Sequence, residues 1–280
     1  MQGRVLIIAG SDSGGGAGIQ GDIKTVTALG AYASTAITAL TAQSTEGVFA
    51  VENVSPDFIA RQIDLALSDI GADVIKTGML HNAEVIETVC GALARKGGDI
   101  PIVVDPVTVA KGGQSLLDIE AIGALKRDLI VRALIVTPNT TEAESLMGMD
   151  IKNFEDMQQA AKMVATLGPK AVLLKGGHLT GEVVTDIYVE DGQIEYIESQ
   201  RIDTPHTHGT GCALASAIAT GLAQGMALRD AVLRAHAYVQ EAIRTAPGLG
   251  HGHGPLNHAH TVKPFSAKSK RWKKSKRWKK

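Results

Sequence analysis

The residues with the clearest chemical potential are Pro205-His206-Thr207-His208-Gly209-Thr210-Gly211-Cys212, followed by an Ala-rich apolar run to Leu222. Small residues and glycines at a loop-to-helix junction let several backbone N–H groups point outward together. The first N–H groups of a helix lack intrahelical partners, and the helix dipole favours negative charge there, so this stretch is a candidate anion hole. Gly209, Thr210 and Gly211 would supply the N–H groups. Cys212 falls in the first turn, where the same field favours a thiolate. The chemistry that this pattern suits is the holding of a transferring phosphoryl group.

Other polar groups cluster after short apolar runs. Arg4 to Ala9 (RVLIIA) reads as a buried parallel strand, and Gly10 closes it. The glycines from Gly14 to Gly18 superficially resemble a dinucleotide fingerprint but lack its full spacing and distal acid, so close backbone approach to a small molecule is the better reading. Asp22 follows one turn into the next helix, as a ligand contact or as a helix-start carboxylate. Ala33 to Leu40 reads as a second strand delivering Gln43, whose amide both donates and accepts. That suits a planar heterocycle, or else a turn residue bonding its own backbone.

Asp73 to Gly78 (DVIKTG) is a further strand, with Met79 at its end. Ile100 to Val104 is another, leading into Asp105-Pro106-Val107 and a Thr108-to-Gly113 loop that carries Lys111, either a phosphate contact or an ordinary exposed lysine. Ala133 to Val136 stops at Thr137-Pro138-Asn139. Glu142 and Glu144 follow near a helix start, where they either supply oxygen to Mg²⁺ or balance the dipole. Ala171 to Leu174 ends at Lys175.

The elements that must position these groups alternate between strand and helix. Helices are expected over Pro56 to Ile70, Asn82 to Arg95, Leu117 to Ile130, Phe154 to Leu167, Gly211 to Gln224 and Leu228 to Arg244. Val183 to Glu190 and Gln193 to Glu198 flank Asp191-Gly192, a strong hairpin signal. Such alternation predicts a three-layer α/β/α fold with a mostly parallel sheet and a late hairpin. Ligands of such sheets bind outside the strand carboxyl ends.

The chain has 280 residues, 44% of them hydrophobic, enough for one sizeable core. Two cysteines, Cys90 and Cys212, suggest neither a disulfide framework nor a zinc site, which fits a reducing, cytoplasmic setting. The apolar N-terminal run is too short to span a bilayer. His251, His253, His258 and His260 suit either a metal or, better, a loop packed on the domain. Net charge is −1, but residues 268 to 280 hold nine Lys or Arg and no acid, leaving 19 basic against 29 acidic residues, or −10, elsewhere. This tail contains SKRWKK twice in tandem and is expected to be disordered beyond a domain covering 1 to 265; nucleic-acid contact by the tail is the weaker reading.

Taken together, AGSDSGGGAGIQGDIKT, AITALTAQST, KTGML, DPVTVAKGG, VTPNTTEAE, KGGHL, THGTGC and GHGPLNH resemble the ribokinase-like small-molecule kinases, and among them the bacterial hydroxymethylpyrimidine/phosphomethylpyrimidine kinases of thiamine biosynthesis. The resemblance runs from Ala9 to His258. It implies ATP-dependent phosphorylation of hydroxymethylpyrimidine and then of its monophosphate, with Mg²⁺ and often as a homodimer. A pyridoxal kinase of the same fold and a non-catalytic pyrimidine-binding regulator are the alternatives.

On this resemblance Gly10, Asp22, Gln43, Met79 and Val107 would form the pyrimidine site. Thr137, Asn139, Lys111 and Lys175 would meet the nucleotide, Asn139 and Glu142 would lie near Mg²⁺, and Gly209 to Cys212 would form the anion hole. Thr108 stands where the family usually has Met, and Ser44 where it usually has Asn. Related kinases place an Asp base where Cys212 stands. A second acceptor that is already a phosphate needs no base and would be repelled by a fixed carboxylate, so a neutral Cys212 is expected.

Overall fold

Along β1 (Arg4–Ala9), Leu6 and Ile8 face one buried cluster while Val5, Ile7 and Ala9 face another. Side chains alternate across a strand, so burial on both faces requires cover on both sides. Val5 to Ile8 are fully buried, and each contributes about 1.5–3 kcal/mol through removal of apolar surface from water. The computed structural model describes residues 1–108 and 117–265. Lys111 and the basic tail lie outside the described residues.

The main sheet has eight strands. In spatial order they are β10 (Gln193–Gln200), β9 (Val183–Glu190), β8 (Ala171–Leu174), β7 (Ile135–Val136), β6 (Ile102–Val104), β5 (Val74–Thr77), β1 and β2 (Tyr32–Ile37). From β2 to β8 every pairing is parallel, and β9 and β10 join antiparallel at one edge. The β9–β10 turn takes positive φ at Asp191 (49°) and Gly192 (76°), as a two-residue hairpin needs.

One face of the sheet packs against α2 (Pro56–Asp69), α3 (Ala83–Lys96), α4 (Ile119–Ala124), α5 (Thr140–Met147) and α6 (Phe154–Ala165). The other packs against α1 (Gly18–Ala28), α7 (Thr210–Ala223) and α8 (Leu228–Arg244). Helix α7 is buried from Ala213 to Gly221. Its small residues let neighbours approach closely: a Cβ on Gly221 would lie 2.8 Å from that of Ala231 on α8.

Two expected elements differ. The strand anticipated from Ala33 to Leu40 breaks at Thr38, whose hydroxyl donates to the Met79 carbonyl at 2.7 Å. The chain then leaves the main sheet, and β3 (Ala39–Ser44) pairs antiparallel with β4 (Gly47–Asn53) as a separate two-stranded flap. The helix anticipated from Leu117 to Ile130 is α-helical only over Ile119–Ala124, and it passes into a π turn (Leu125–Leu129) and a 3₁₀ turn (Ile130–Arg132).

Candidate active site

The Gly-rich loop after β1 is shaped by one carboxylate. Asp12 accepts from the N–H groups of Gly14 (2.8 Å), Gly16 (3.0 Å) and Ala17 (2.8 Å), and from His208 Nε2 at 2.8 Å. Burial pulls the Asp12 pKa upward, but the His208 and backbone N–H donors outweigh it and hold the group below its ordinary value. The flap is stitched to the same loop, because Ser13 Oγ donates to the Gln43 carbonyl at 2.9 Å and accepts from the Gln43 N–H at 2.8 Å.

Helix α7 starts against this loop. Gly209 has φ of +87° and is its N-cap. Any side chain there would collide with the Gly16 carbonyl, so glycine meets both a conformational and a steric demand. Gly211 follows in the first turn, where a Cβ would lie 3.1 Å from Lys175 Nζ. The ammonium therefore sits directly over the helix start.

Lys175 lies 3.3 Å from Asp105 Oδ1 and 3.7 Å from Glu142 Oε2. Burial alone would lower its pKa, but Asp105 and Glu142 more than offset it and keep the ammonium charged. Glu142 is pushed up to about 7 by burial first, with Lys175 opposing and Asp105 adding to the rise. Asn139 and Glu142 also form a capping box at α5, with the Asn139 side chain accepting from Glu142 N at 2.8 Å and Glu142 Oε2 accepting from Asn139 N at 2.7 Å. Glu142 thus caps a helix, as one sequence reading has it, and its carboxyl also faces Lys175 at the strand ends.

Cys212 is half-buried, and burial pushes its thiol up to about 12; Lys76 opposes this while Asp22 and Asp105 reinforce it. The helix-start field is too weak to make a thiolate here. The neutral thiol expected from the two-transfer argument is the state the surroundings favour.

A cavity of about 740 Å³ opens over the strand ends. Gly10, Gln43, Met79 and Val107 line it, as do Asn139, Glu142, Lys175 and the run from Gly209 to Cys212. Two expected contacts are absent from its wall. Asp22 is fully buried, bound to Lys76 Nζ at 2.9 and 3.0 Å and to Ser216 Oγ at 2.7 Å, so its oxygens are committed to the interior. Thr137 is also fully buried, and its hydroxyl reaches only the Val104 carbonyl and Asp105, each at 3.5 Å.

Sequence reasoning passed over Lys76, and it did not single out Asp12, Asp105 or His208 within the quoted motifs. Lys76 had a usable signal, as the one charge inside the apolar strand VIKT. Asp12 had another, an acid placed before a glycine run, where its side chain can accept from N–H groups further on. Asp186, at 3.9 Å from His236, carried no local signal. The C-terminal histidine loop packs on the domain: His253 N donates to the Thr45 carbonyl at 2.8 Å and His258 Nδ1 lies 3.1 Å from Thr25 Oγ1. Among the described residues no group of three His, Cys, Asp or Glu is arranged to hold a metal ion.

A parallel sheet between two helical layers, a flap over its carboxyl rim and a glycine-started helix beneath a lysine define a ribokinase-like small-molecule kinase. The chain belongs to the phosphomethylpyrimidine kinase family, whose model it matches over residues 12–257.

It is 46% identical over 258 residues to the hydroxymethylpyrimidine/phosphomethylpyrimidine kinase of Rhizobium meliloti, covering 91% of this chain and 96% of that one. Identity is 52% over 257 residues to the thiamine biosynthesis bifunctional protein ThiED of Geobacter sulfurreducens, covering 92% of this chain; the chain spans about half (52%) of that protein's length. Among solved structures, the phosphomethylpyrimidine kinase of Clostridium difficile superposes with a TM-score of 0.76 at 42% identity, covering 86% of this chain and 99% of that one. An ADP complex of Bacillus subtilis pyridoxal kinase superposes with a TM-score of 0.84 at 34% identity, covering 92% and 98%. Among the described residues no helix is long and apolar enough to cross a membrane.

Proposed function

We propose that this protein transfers the γ-phosphoryl group of ATP to the hydroxymethyl oxygen of hydroxymethylpyrimidine, and then a second one to the monophosphate so formed. The observation that carries this reading is the single cavity shared by Gln43, Met79 and Val107 with Lys175 and the Gly209-to-Cys212 helix start. The first group suits a flat heterocycle, through an amide edge and two apolar contacts. The second suits phosphate, through N–H donors, a helix dipole and a charged lysine.

In each transfer an acceptor oxygen forms a bond to the γ-phosphorus as the bond to the bridging oxygen of ADP breaks. The transition state is loose, so positioning and charge neutralisation matter more than a strong base. The neutral Cys212 thiol is no base at physiological pH. In the first step the hydroxyl proton leaves late, from an oxygen made acidic by the incoming phosphoryl group, and passes to a phosphate oxygen or to water; in the second there is no proton to remove. Glu142 and Asp105 place carboxyl oxygens beside Lys175 at the strand ends, a donor set that fits Mg²⁺ bound through one or two carboxylates and substrate phosphates. That ion would supply further charge neutralisation.

Pyridoxal phosphorylation is the second reading, supported by the backbone likeness to the pyridoxal kinases. Incubation with ATP and, separately, hydroxymethylpyrimidine, its monophosphate and pyridoxal separates the two. Turnover of the monophosphate is expected; turnover of pyridoxal alone would replace the first reading with the second. Exposed Leu40 (47%) and Phe49 (73%) on the flap support a homodimer, which sedimentation equilibrium would test.

A further inference from the structure

The side chain of Gln43 meets two neighbours whose own partners leave them little freedom. One end of its amide lies 3.1 Å from Thr41 Oγ1 and the other 3.4 Å from His208 Nε2. Thr41 Oγ1 also lies 2.9 Å from the Ser11 carbonyl oxygen, and His208 Nε2 lies 2.8 Å from Asp12 Oδ2. The two ends of a carboxamide have nearly the same shape, so their neighbours decide which is which.

A carbonyl oxygen only accepts, so the single proton of the Thr41 hydroxyl goes to Ser11 and leaves an acceptor facing Gln43. Asp12 already accepts three backbone N–H groups and is held below its ordinary pKa against the pull of burial, so it is a carboxylate. Asp12 Oδ2 accepts from His208 Nε2 only if that nitrogen carries the proton, so an N–H with no lone pair lies beside Gln43. With Oε1 towards Thr41 and Nε2 towards His208, one hydroxyl proton would serve two acceptors and two N–H groups would face each other. A half-turn about the last side-chain bond frees the Thr41 proton for Ser11, because the NH₂ now donates to Thr41. It also replaces the facing N–H groups with a carbonyl oxygen beside the His208 N–H, whose hydrogen bond goes to Asp12 at 2.8 Å with Gln43 the longer contact at 3.4 Å.

Each end of the amide then keeps one unused function, a donor at the Thr41 end and an acceptor at the His208 end. An aminopyrimidine offers the converse pair, a ring nitrogen that accepts and an amino group that donates. Reversing the amide would require reversing the ring, which would move its hydroxymethyl group to a different part of the cavity. Building on the functional reading above, we infer that His208 and Thr41 are positioning residues that fix the orientation of the Gln43 amide, and through it the way round the heterocycle binds. His208 is suited to this because the residue after it is Gly209, so one short segment sets both the amide and the start of α7.

The test compares the parent with His208→Phe and Thr41→Val, using hydroxymethylpyrimidine and the same pyrimidine without its 4-amino group. The parent should prefer the amino compound by about 10- to 100-fold in kcat/KM, the effect of leaving a polar group at the site unpaired. In both variants that preference should fall to within about 3-fold and kcat should fall, while KM for ATP stays within about 3-fold of the parent. In ¹⁵N spectra, the two protons of the Gln43 side-chain NH₂ should be well resolved in the parent and should broaden or merge in both variants. Full preference retained in both variants, or an unchanged Gln43 amide signal, would overturn the inference. Should His208→Phe fail to fold, Thr41→Val alone decides. Should the parent phosphorylate neither pyrimidine, the functional reading fails instead, and the amide signal still shows whether His208 and Thr41 hold Gln43.

Discussion

Lys76 and Asp22 form an ion pair of 2.9 Å in which both side chains are completely buried. Burial raises the Asp22 pKa and would lower that of Lys76, but the charges of Asp22 and Asp105 keep the lysine well above its usual value. Lys76 therefore stays charged, and Ser216 Oγ is a further donor to Asp22. Removing one partner of such a pair strands the other, at a cost of about 3–5 kcal/mol. Lys76→Met should lower the melting temperature by on the order of 10 °C. The double variant Lys76→Met, Asp22→Leu should melt above Lys76→Met alone. A single variant that melts within about 2 °C of the parent would contradict the account.

Gly209→Ala tests the helix start. The new methyl meets the Gly16 carbonyl while φ is held at +87°, so the Gly-rich loop or the first turn of α7 must move. Loss of one oriented donor costs about 10²–10³ in kcat, and a loss of that size is expected here together with weaker ADP binding by calorimetry. Gly192→Ala is the control: φ is also positive, at 76°, but open space surrounds the position. It should cost only about 1–2 kcal/mol of stability, with kcat unchanged. Equal effects of the two changes on kcat would rule out a specific role for Gly209.

Cys212 should behave as an inert thiol. With its pKa pushed up to about 12, the thiolate fraction at pH 8 is on the order of 10³ below that of an ordinary cysteine. Iodoacetamide should label Cys212 far more slowly in the folded protein than in urea, as followed by peptide mass spectrometry. On the proposed function, Cys212→Asp would place a fixed charge beside the acceptor and should impair phosphorylation of the monophosphate more than that of the alcohol. Equal losses in the two steps would remove the argument for a neutral residue.

His258 supplies a pH dependence. Burial, followed by the charges of Lys24 and His260, lowers its pKa to about 4. In the unfolded chain the imidazole titrates near 6.5, so between about pH 6.5 and 4 the unfolded state binds a proton that the folded state refuses. Stability from this group is complete above that window and is lost as pH falls through it, by up to about 1.4 kcal/mol per pH unit. Urea midpoints at pH 7, 6 and 5 should fall more steeply for the parent than for His258→Gln. Parallel slopes would exclude His258 as the source.

Much of this framework is legible in local sequence. The strands Arg4–Ala9 and Ala171–Leu174 and the helix Leu228–Arg244 begin and end where periodicity places them. The hairpin turns at Asp191-Gly192 because few other pairs accept two positive φ angles. The break before the flap is not legible locally, because Thr38 ends its strand through a bond to Met79, 41 positions later in the chain. Asp22 is ambiguous for a similar reason: an acid one turn into a helix looks the same in sequence whether it faces a ligand or a lysine 54 residues away.

What the sequence by itself determined was the set of elements and the rim on which the glycines, Gln43, Lys175 and THGTGC gather, since hydrophobic periodicity and turn chemistry are local properties. What only the tertiary structure decided was the charge state and direction of each polar group. Asp22 faces inward to Lys76, Glu142 both caps α5 and leans towards Lys175, Cys212 keeps its proton, and His208 with Thr41 sets the Gln43 amide. Those outcomes depend on burial and on partners brought in from distant segments, and neither is encoded within a few residues of the group concerned.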